Sequence, residues 1–157
     1  MIQFFDEKGN RVELSFSRNA FGVEPKHVLV LCKLQEDWVL TRHKERGLEF
    51  PGGKREKGET LEEAARREVY EEIGAVLGDV RYLAEYKVSE RNGYFVKAVF
   101  LADVKRLERT GNYHETLGPH LIKGDLLQLR FGKEFSFIMK DRVVEECIKF
   151  IENIMEY

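Results

Sequence analysis

Residues 53–74, GKREKGETLEEAARREVYEEIG, place seven glutamates and five basic residues in twenty-two positions. A chain that folds this stretch must find a place for that charge. Thr60-Leu61-Glu62-Glu63 has the T-x-x-E form of a capping box and Gly74 is a natural terminator, so the spacing predicts a helix from about Thr60 to Gly74. At about 100° per residue, Leu61, Ala64 and Ala65 share one face, and the same face carries Glu68, Glu71 and Glu72. A merely solvated helix would keep its glutamates off the apolar stripe and pair them with bases. These three do the reverse. Carboxylates three or four residues apart stand about 5–6 Å from one another at Cβ, and each ionised pair repels by roughly 3 kcal/mol at an effective dielectric of 20. That is large against a typical stability of ~5–15 kcal/mol. Either some carboxylates stay protonated or divalent cations occupy the cluster. Magnesium is a hard ion that takes carboxylates, waters and substrate phosphates, so the segment reads as an open site for a metal–polyphosphate complex.

A phosphate-cradling loop is the rival reading, because Gly53 and Gly58 have P-loop spacing. A P-loop continues with Lys and then Ser or Thr; Glu59 and Thr60 follow here, and Glu59 puts a negative charge where the phosphate-binding cation belongs. The 157 residues with 43% apolar content are enough for one packed domain over 1–157. A net charge of -2 exerts no overall pull on nucleic acid or anionic membrane. Cys32 and Cys147 each sit in an apolar pattern, read as packing residues and not as a disulfide framework. The N-terminus has no leader-like pattern and no segment reaches the roughly 20 apolar residues of a membrane span. A cytoplasmic protein without a membrane partner is expected.

Two hairpins are legible early: IQFFD with RVELSF around Lys8-Gly9-Asn10, and HVLVLCKL with DWVLTRH around Gln35-Glu36. A second extended block, VRYLAEYKV and YFVKAVFLADV, turns at Asn92-Gly93. From Lys105 to His120 the pattern lapses into a polar loop. Val144, Ile148, Ile151 and Met155 have helical spacing near the end, which predicts an amphipathic C-terminal helix. His27 and His43 flank strands as structural or surface groups, and Trp38 is read as packing.

Gly53, five residues, Glu59, seven residues, and then Arg67-Glu68-Val69-Tyr70-Glu71-Glu72-Ile73-Gly74 resemble the Nudix box, G-x5-E-x7-R-E-U-x-E-E-x-G-U, with U a bulky aliphatic residue. Ala75 is the one departure, small where the pattern has Ile, Leu or Val. The resemblance implies an α+β fold, an α/β/α sandwich with a central mixed sheet, and hydrolysis of a nucleoside diphosphate linked to another group. It implies that Glu68, Glu71 and Glu72 hold magnesium, with manganese as a substitute, that Glu68 is also a candidate base, and that Arg67 and Glu59 brace the helix against its preceding loop. Leu48-Glu49-Phe50-Pro51-Gly52-Gly53-Lys54 is similar to the same stretch of MutT-like members, which implies a metal ligand from the Gly52 carbonyl and places Phe50 and Lys54 at the nucleotide. Arg42, after Leu40-Thr41, resembles an arginine that positions the nucleotide, although by itself it reads equally as a strand-end charge. Glu115, 43 residues after Glu72 in YHETLGPH, stands where relatives supply a further carboxylate, or is an ordinary loop acid. His114 and His120 suit magnesium poorly.

PKHVLV, EFPGGK, ETLGP and FSFIMKD resemble the YtkD-type group of MutT-like proteins. That implies hydrolysis of nucleoside triphosphates to monophosphate and pyrophosphate, including cleansing of 8-oxo-dGTP from the nucleotide pool. RNA 5′ pyrophosphohydrolysis and hydrolysis of another nucleoside diphosphate derivative, such as a nucleotide sugar or dinucleoside polyphosphate, remain alternatives. A nucleotide-binding regulator with a silent site could dispense with the carboxylates, yet all are present.

Overall fold

The computed structural model describes residues 1–108, 113 and 116–155. Nine strands form one sheet: β1 (Ile2–Phe5), β2 (Arg11–Ser15), β3 (His27–Leu34), β4 (Asp37–His43), β5 (Gly47–Glu49), β6 (Gly52–Lys54), β7 (Ala75–Glu90), β8 (Gly93–Leu107) and β9 (Thr116–Ile122). The helices are α1 (Leu61–Ile73), the single turn α2 (Leu126–Leu129) and α3 (Arg142–Met155), with a 3-10 turn at Phe137–Lys140. The spatial order is β1-β2-β7-β8-β3-β4-β5, with β6 on β3 and β9 on β4. Only β3 and β8 run parallel among these pairs, so the sheet is mixed.

Side-chain alternation along the central strands divides the core in two. Val28, Val30, Cys32 and Val39 pack with Leu61, Ala64, Ala65, Val69 and Ile73 of α1. Leu29, Leu31, Leu40 and Val99 belong to the other core with Val143, Val144, Cys147, Ile148 and Ile151 of α3. Because β3 is covered on both faces, HVLVLCKL reads as a nearly continuous apolar run. The result is the expected α/β/α layering. Both cysteines are free and buried. No helix among the described residues is long and apolar enough to cross a membrane.

Both early hairpins form with the expected turns. The expected loop over 105–120 needs correction. Strand β8 extends to Leu107, and β9 begins at Thr116 and pairs with β4 through Pro119 opposite Thr41. Its Gly118 and Pro119 disguise it as a loop. Proline is tolerated because β9 is an edge strand, and the register shifts by a bulge between Thr41 and His43. The start of β7 was also not legible, since Ala75 follows the helix terminator directly.

Candidate active site

The helix carrying the glutamates is held at both ends. Thr60 Oγ1 accepts from the Glu63 N–H at 3.0 Å while the Thr60 N–H donates to Glu63 Oε1 at 2.9 Å, which completes the capping box. At the other end Gly74 takes a left-handed conformation, φ 66°, and its N–H reaches the Tyr70 carbonyl. The hydroxyls of Thr116 and Thr41 donate to the Glu72 carbonyl at 2.8 and 3.4 Å. These bonds moor the last turn of α1 to strands β9 and β4, so its carboxylates are carried on a fixed element.

Glu68, Glu71 and Glu72 open into a cleft of about 380 Å³ that also meets His43, Arg46, Gly52, Gly53 and Thr116. Glu72 Oε2 accepts from the Gly52 N–H at 3.1 Å. Burial, and then the charge of Glu68, push its carboxyl well above the ordinary carboxylate range. A Cβ on Gly53 would lie 2.4 Å from Glu68 Cδ, so the glycine leaves the space that the Glu68 carboxylate fills.

Arg67 organises the rim. Its Nε and Nη2 donate to Glu59 at 2.7 and 2.9 Å, its Nη1 to Glu68 at 2.9 Å and Glu71 at 3.3 Å, and its Nη2 also to the Lys54 carbonyl at 3.0 Å. The paired Arg67 holds the Glu59 carboxyl down to about 2, and Glu59 in turn accepts from the Glu56 N–H at 2.8 Å. One guanidinium thus ties the loop before α1 to two of the three cleft glutamates. Replacing Arg67 by lysine keeps the charge but loses the planar fork. Turnover should fall ~10-fold or more, about 1.4 kcal/mol in barrier, together with the melting temperature; melting curves beside steady-state kinetics check this, and unchanged values of both would exclude a bracing role.

The structure brings Glu59, Arg67, Glu68, Glu71, Glu72 and Gly52 together, and it is the Gly52 N–H that engages a glutamate. Lys54 contributes its carbonyl to Arg67, while its side chain is exposed. Thr41 and His43 lie on the helix side of β4, so alternation directs Arg42 to the opposite face, the one shared by Trp38 and Leu40. The expectation for Phe50 is overturned. Its ring is 1% exposed and packs edge-on against Trp38 at 5.6 Å between centroids, so it offers no face to a base. Pro51-Gly52 enters the sheet by hydrogen-bonding to β3, which leaves the preceding ring in the core. Glu115 and His114 lie outside the described residues.

Sequence reading missed Arg46, His43 and Thr116 as cleft residues. Arg46 is held by a bidentate pair to the buried Glu49 at 3.0 and 2.9 Å. His43 Nδ1 accepts from the Glu45 and Arg46 N–H groups at 3.1 Å each, which assigns the ring proton to Nε2 in the neutral form. An Arg-x-x-Glu spacing was visible, but nothing local said that it faced α1.

Among the described residues no three His, Cys, Asp or Glu groups already surround a common point as a metal would hold them, because Arg67 draws Glu68 and Glu71 while Gly52 draws Glu72. The donor set nevertheless fits a divalent cation. It is entirely oxygen, it combines a buried carboxyl with a second one beside it, and Gly53 keeps its space clear; a hard cation is what allows both to ionise.

Residues 24–134 match the NUDIX domain, and the chain belongs to the Nudix hydrolase family, whose members generally use divalent metals. Across 149 residues, covering 95% of this chain and 94% of the relative, it is 46% identical to a Bacillus subtilis (strain 168) protein described as a candidate 8-oxo-dGTP diphosphatase, YtkD. The fold superposes with TM-score 0.93 and 44% identity, over 98% of this chain and 97% of the other, on a Glu-to-Ala mutant of the Bacillus subtilis pyrophosphohydrolase BsRppH. An RNA pyrophosphohydrolase of Aliivibrio fischeri (strain MJ11) is 37% identical over 78 residues, 45% of each chain.

Proposed function

We propose that this chain, acting as a single catalytic unit in the cytoplasm, uses magnesium to hydrolyse nucleoside triphosphates, 8-oxo-dGTP included, to monophosphate and pyrophosphate. The observation that carries this reading is the convergence of Glu68, Glu71 and Glu72 on Gly52 and Gly53 in one open cleft. Glu68, Glu71, Glu72 and the Gly52 carbonyl are the groups that would hold the metal, and Glu115 is a further candidate carboxylate. Bound divalent ions supply neutralisation of polyphosphate charge and activation of water. The chain's own groups do the rest. Arg46, fixed by Glu49, offers a guanidinium to a phosphate oxygen. Glu68, oriented by Arg67, accepts a proton from the attacking water. Arg42 and Lys54 are left as peripheral substrate contacts on the other face of their strands.

Relatives described as an RNA pyrophosphohydrolase and as a pyrophosphohydrolase favour one second reading, removal of pyrophosphate from triphosphorylated RNA 5′ ends. Chromatography of the products from dGTP, 8-oxo-dGTP, ADP-ribose and triphosphorylated RNA decides between them. Pyrophosphate is the expected product; orthophosphate as primary product, or turnover confined to ADP-ribose, overturns both.

Magnesium should raise the melting temperature through selective binding to the folded state, by about 2.7 kcal/mol of stability at a hundredfold excess over Kd. Glu72 adds a pH dependence. Its carboxyl is raised on folding above the ordinary value of 4.5, so the folded state keeps a proton that the unfolded chain releases. Metal-free stability therefore falls as pH rises above that value. Because protons compete with the cation for the same oxygens, the magnesium-induced rise should be larger near pH ~8.5 than near pH ~6. Melting scans at both pH values check the sign.

A further inference from the structure

Strands β4 and β5 are joined by the tip Lys44-Glu45-Arg46, with His43 and Gly47 opposite each other at its base. Tips of this kind are the more mobile parts of a fold. A guanidinium that is to meet a phosphate oxygen nevertheless has to be fixed, because a misplacement of about 1 Å can cost ~100-fold in rate. Glu49, buried in the core, holds the Arg46 guanidinium through Nε and Nη2. At the exit of the tip, residues 134–136 clamp Leu48: its N–H donates to the Glu134 carbonyl at 2.7 Å and its carbonyl accepts from the Ser136 N–H at 2.8 Å. Gly47, at φ 97°, passes so close to this clamp that a Cβ there would strike the Glu134 carbonyl.

The backbone of Arg46 is held by a third group, the imidazole of His43. Its Nδ1 accepts from the N–H groups of two consecutive residues, Glu45 and Arg46, at 3.1 Å each. The ring is buried in the wall of the glutamate cleft. On the same strand and the same face, the Thr41 hydroxyl donates to the Glu72 carbonyl at 3.4 Å. The tip is thereby referenced to β4, and through β4 to the helix that carries Glu68, Glu71 and Glu72. Placing a site's groups on strands and helices holds them more accurately than a loop alone can.

We propose that His43 is a positioning residue, whose Nδ1 fixes the Arg46 backbone so that the guanidinium stands at the phosphate position before substrate arrives. The proposal rests on the triphosphate-hydrolase reading above, in which Arg46 meets a phosphate oxygen. Arginine has large rotamer freedom, and a side chain anchored at one end only has to be ordered at the moment of binding, at a cost in affinity. Here His43 anchors the Cα end and Glu49 the guanidinium end. The role belongs to Nδ1, and the two ring nitrogens are separable by substitution. Asparagine carries an oxygen acceptor at the same remove from Cβ as Nδ1, whereas glutamine carries one at the remove of Nε2.

The test compares His43→Asn with His43→Gln, each alone and combined with Arg46→Ala, by steady-state kinetics on dGTP and triphosphorylated RNA beside melting curves. His43→Gln is expected to lower kcat/KM at least ~10-fold, about 1.4 kcal/mol, and His43→Asn to restore most of that loss. In the Arg46→Ala background the difference between asparagine and glutamine should vanish. A histidine that only stabilised the fold would instead lower the melting temperature in step with activity and keep its effect without Arg46. His43→Ala serves as the acceptor-free variant if His43→Gln does not fold. Glutamine outperforming asparagine assigns the work to Nε2 and overturns the proposal, as does an asparagine–glutamine difference that persists without Arg46. Nitrogen NMR of the folded parent reads the same point without activity: the ring proton is expected on Nε2, and a proton on Nδ1 at neutral pH overturns the assignment. A parent that hydrolyses no triphosphate sinks the catalytic reading alone. Binding of the β,γ-methylene analogue of GTP then carries the test, with asparagine expected to bind more tightly than glutamine; equal binding or the reverse order sinks the positioning role.

Discussion

Replacement of Glu72 by glutamine, and separately of Glu71, should lower turnover at saturating magnesium by at least ~100-fold, about 2.7 kcal/mol in barrier, while the fold survives. Glutamine keeps the size of the side chain and an acceptor for the Gly52 N–H, which Glu72 engages at 3.1 Å. What it removes is the negative charge that would balance a cation and a polyphosphate. Glu72 is desolvated and beside Glu68, so its neutral form is the comfortable one without metal, and the metal-free melting temperature of Glu72→Gln should equal or exceed that of the parent. Magnesium should then raise melting less than in the parent. Near-normal turnover in both variants would remove these residues from the essential site.

Replacement of Gly53 by alanine should be nearly as damaging for a different reason. The new methyl would meet the Glu68 carboxyl carbon at 2.4 Å and its oxygens at 2.5 and 2.6 Å, a separation at which the carboxylate must move. Backbone strain is not the cause, because Gly53, unlike Gly58 and Gly74, is not among the positive-φ residues. The obstacle is the end of a flexible side chain, so stability should change little. Turnover should fall ~100-fold, about 2.7 kcal/mol, because Glu68 is displaced from the cleft. Combining Gly53→Ala with Glu68→Ala removes the clash, and the double variant should be no less active than Glu68→Ala alone. A Gly53→Ala protein with parental turnover would show that the position of Glu68 is immaterial.

Much of the site was legible because it is local. Leu61, Ala64, Ala65, Glu68, Glu71 and Glu72 share a face through helical geometry alone, and Thr60 and Gly74 bound that helix by capping chemistry within a few residues. The pairing of Arg67 with Glu59 spans eight residues and followed from the resemblance on the box. Hairpins such as Cys32 opposite Val39 were likewise readable, since a short turn leaves the flanking strands little choice of partner.

Other features depend on residues far apart in the chain. Phe50 looked like a base platform beside a glycine turn, and its place in the core depends on Trp38 and the α3 layer beneath it. Arg42 and His43 are sequence neighbours, yet the cleft takes His43, because alternation sends consecutive side chains to opposite faces and only the position of α1 says which face matters. Strand β9 was hidden by Gly118 and Pro119 until edge pairing with β4 explained them. Thr116 lies 44 residues from the carbonyl it binds on Glu72. By itself the sequence determined the charged helix, its caps, the three hairpin pairs among the strands and the family, since each rests on spacing or on turns of a few residues. Only the tertiary structure decided which rings are buried and which side chains face the glutamate cleft, because burial and proximity are set by chain segments that folding brings together.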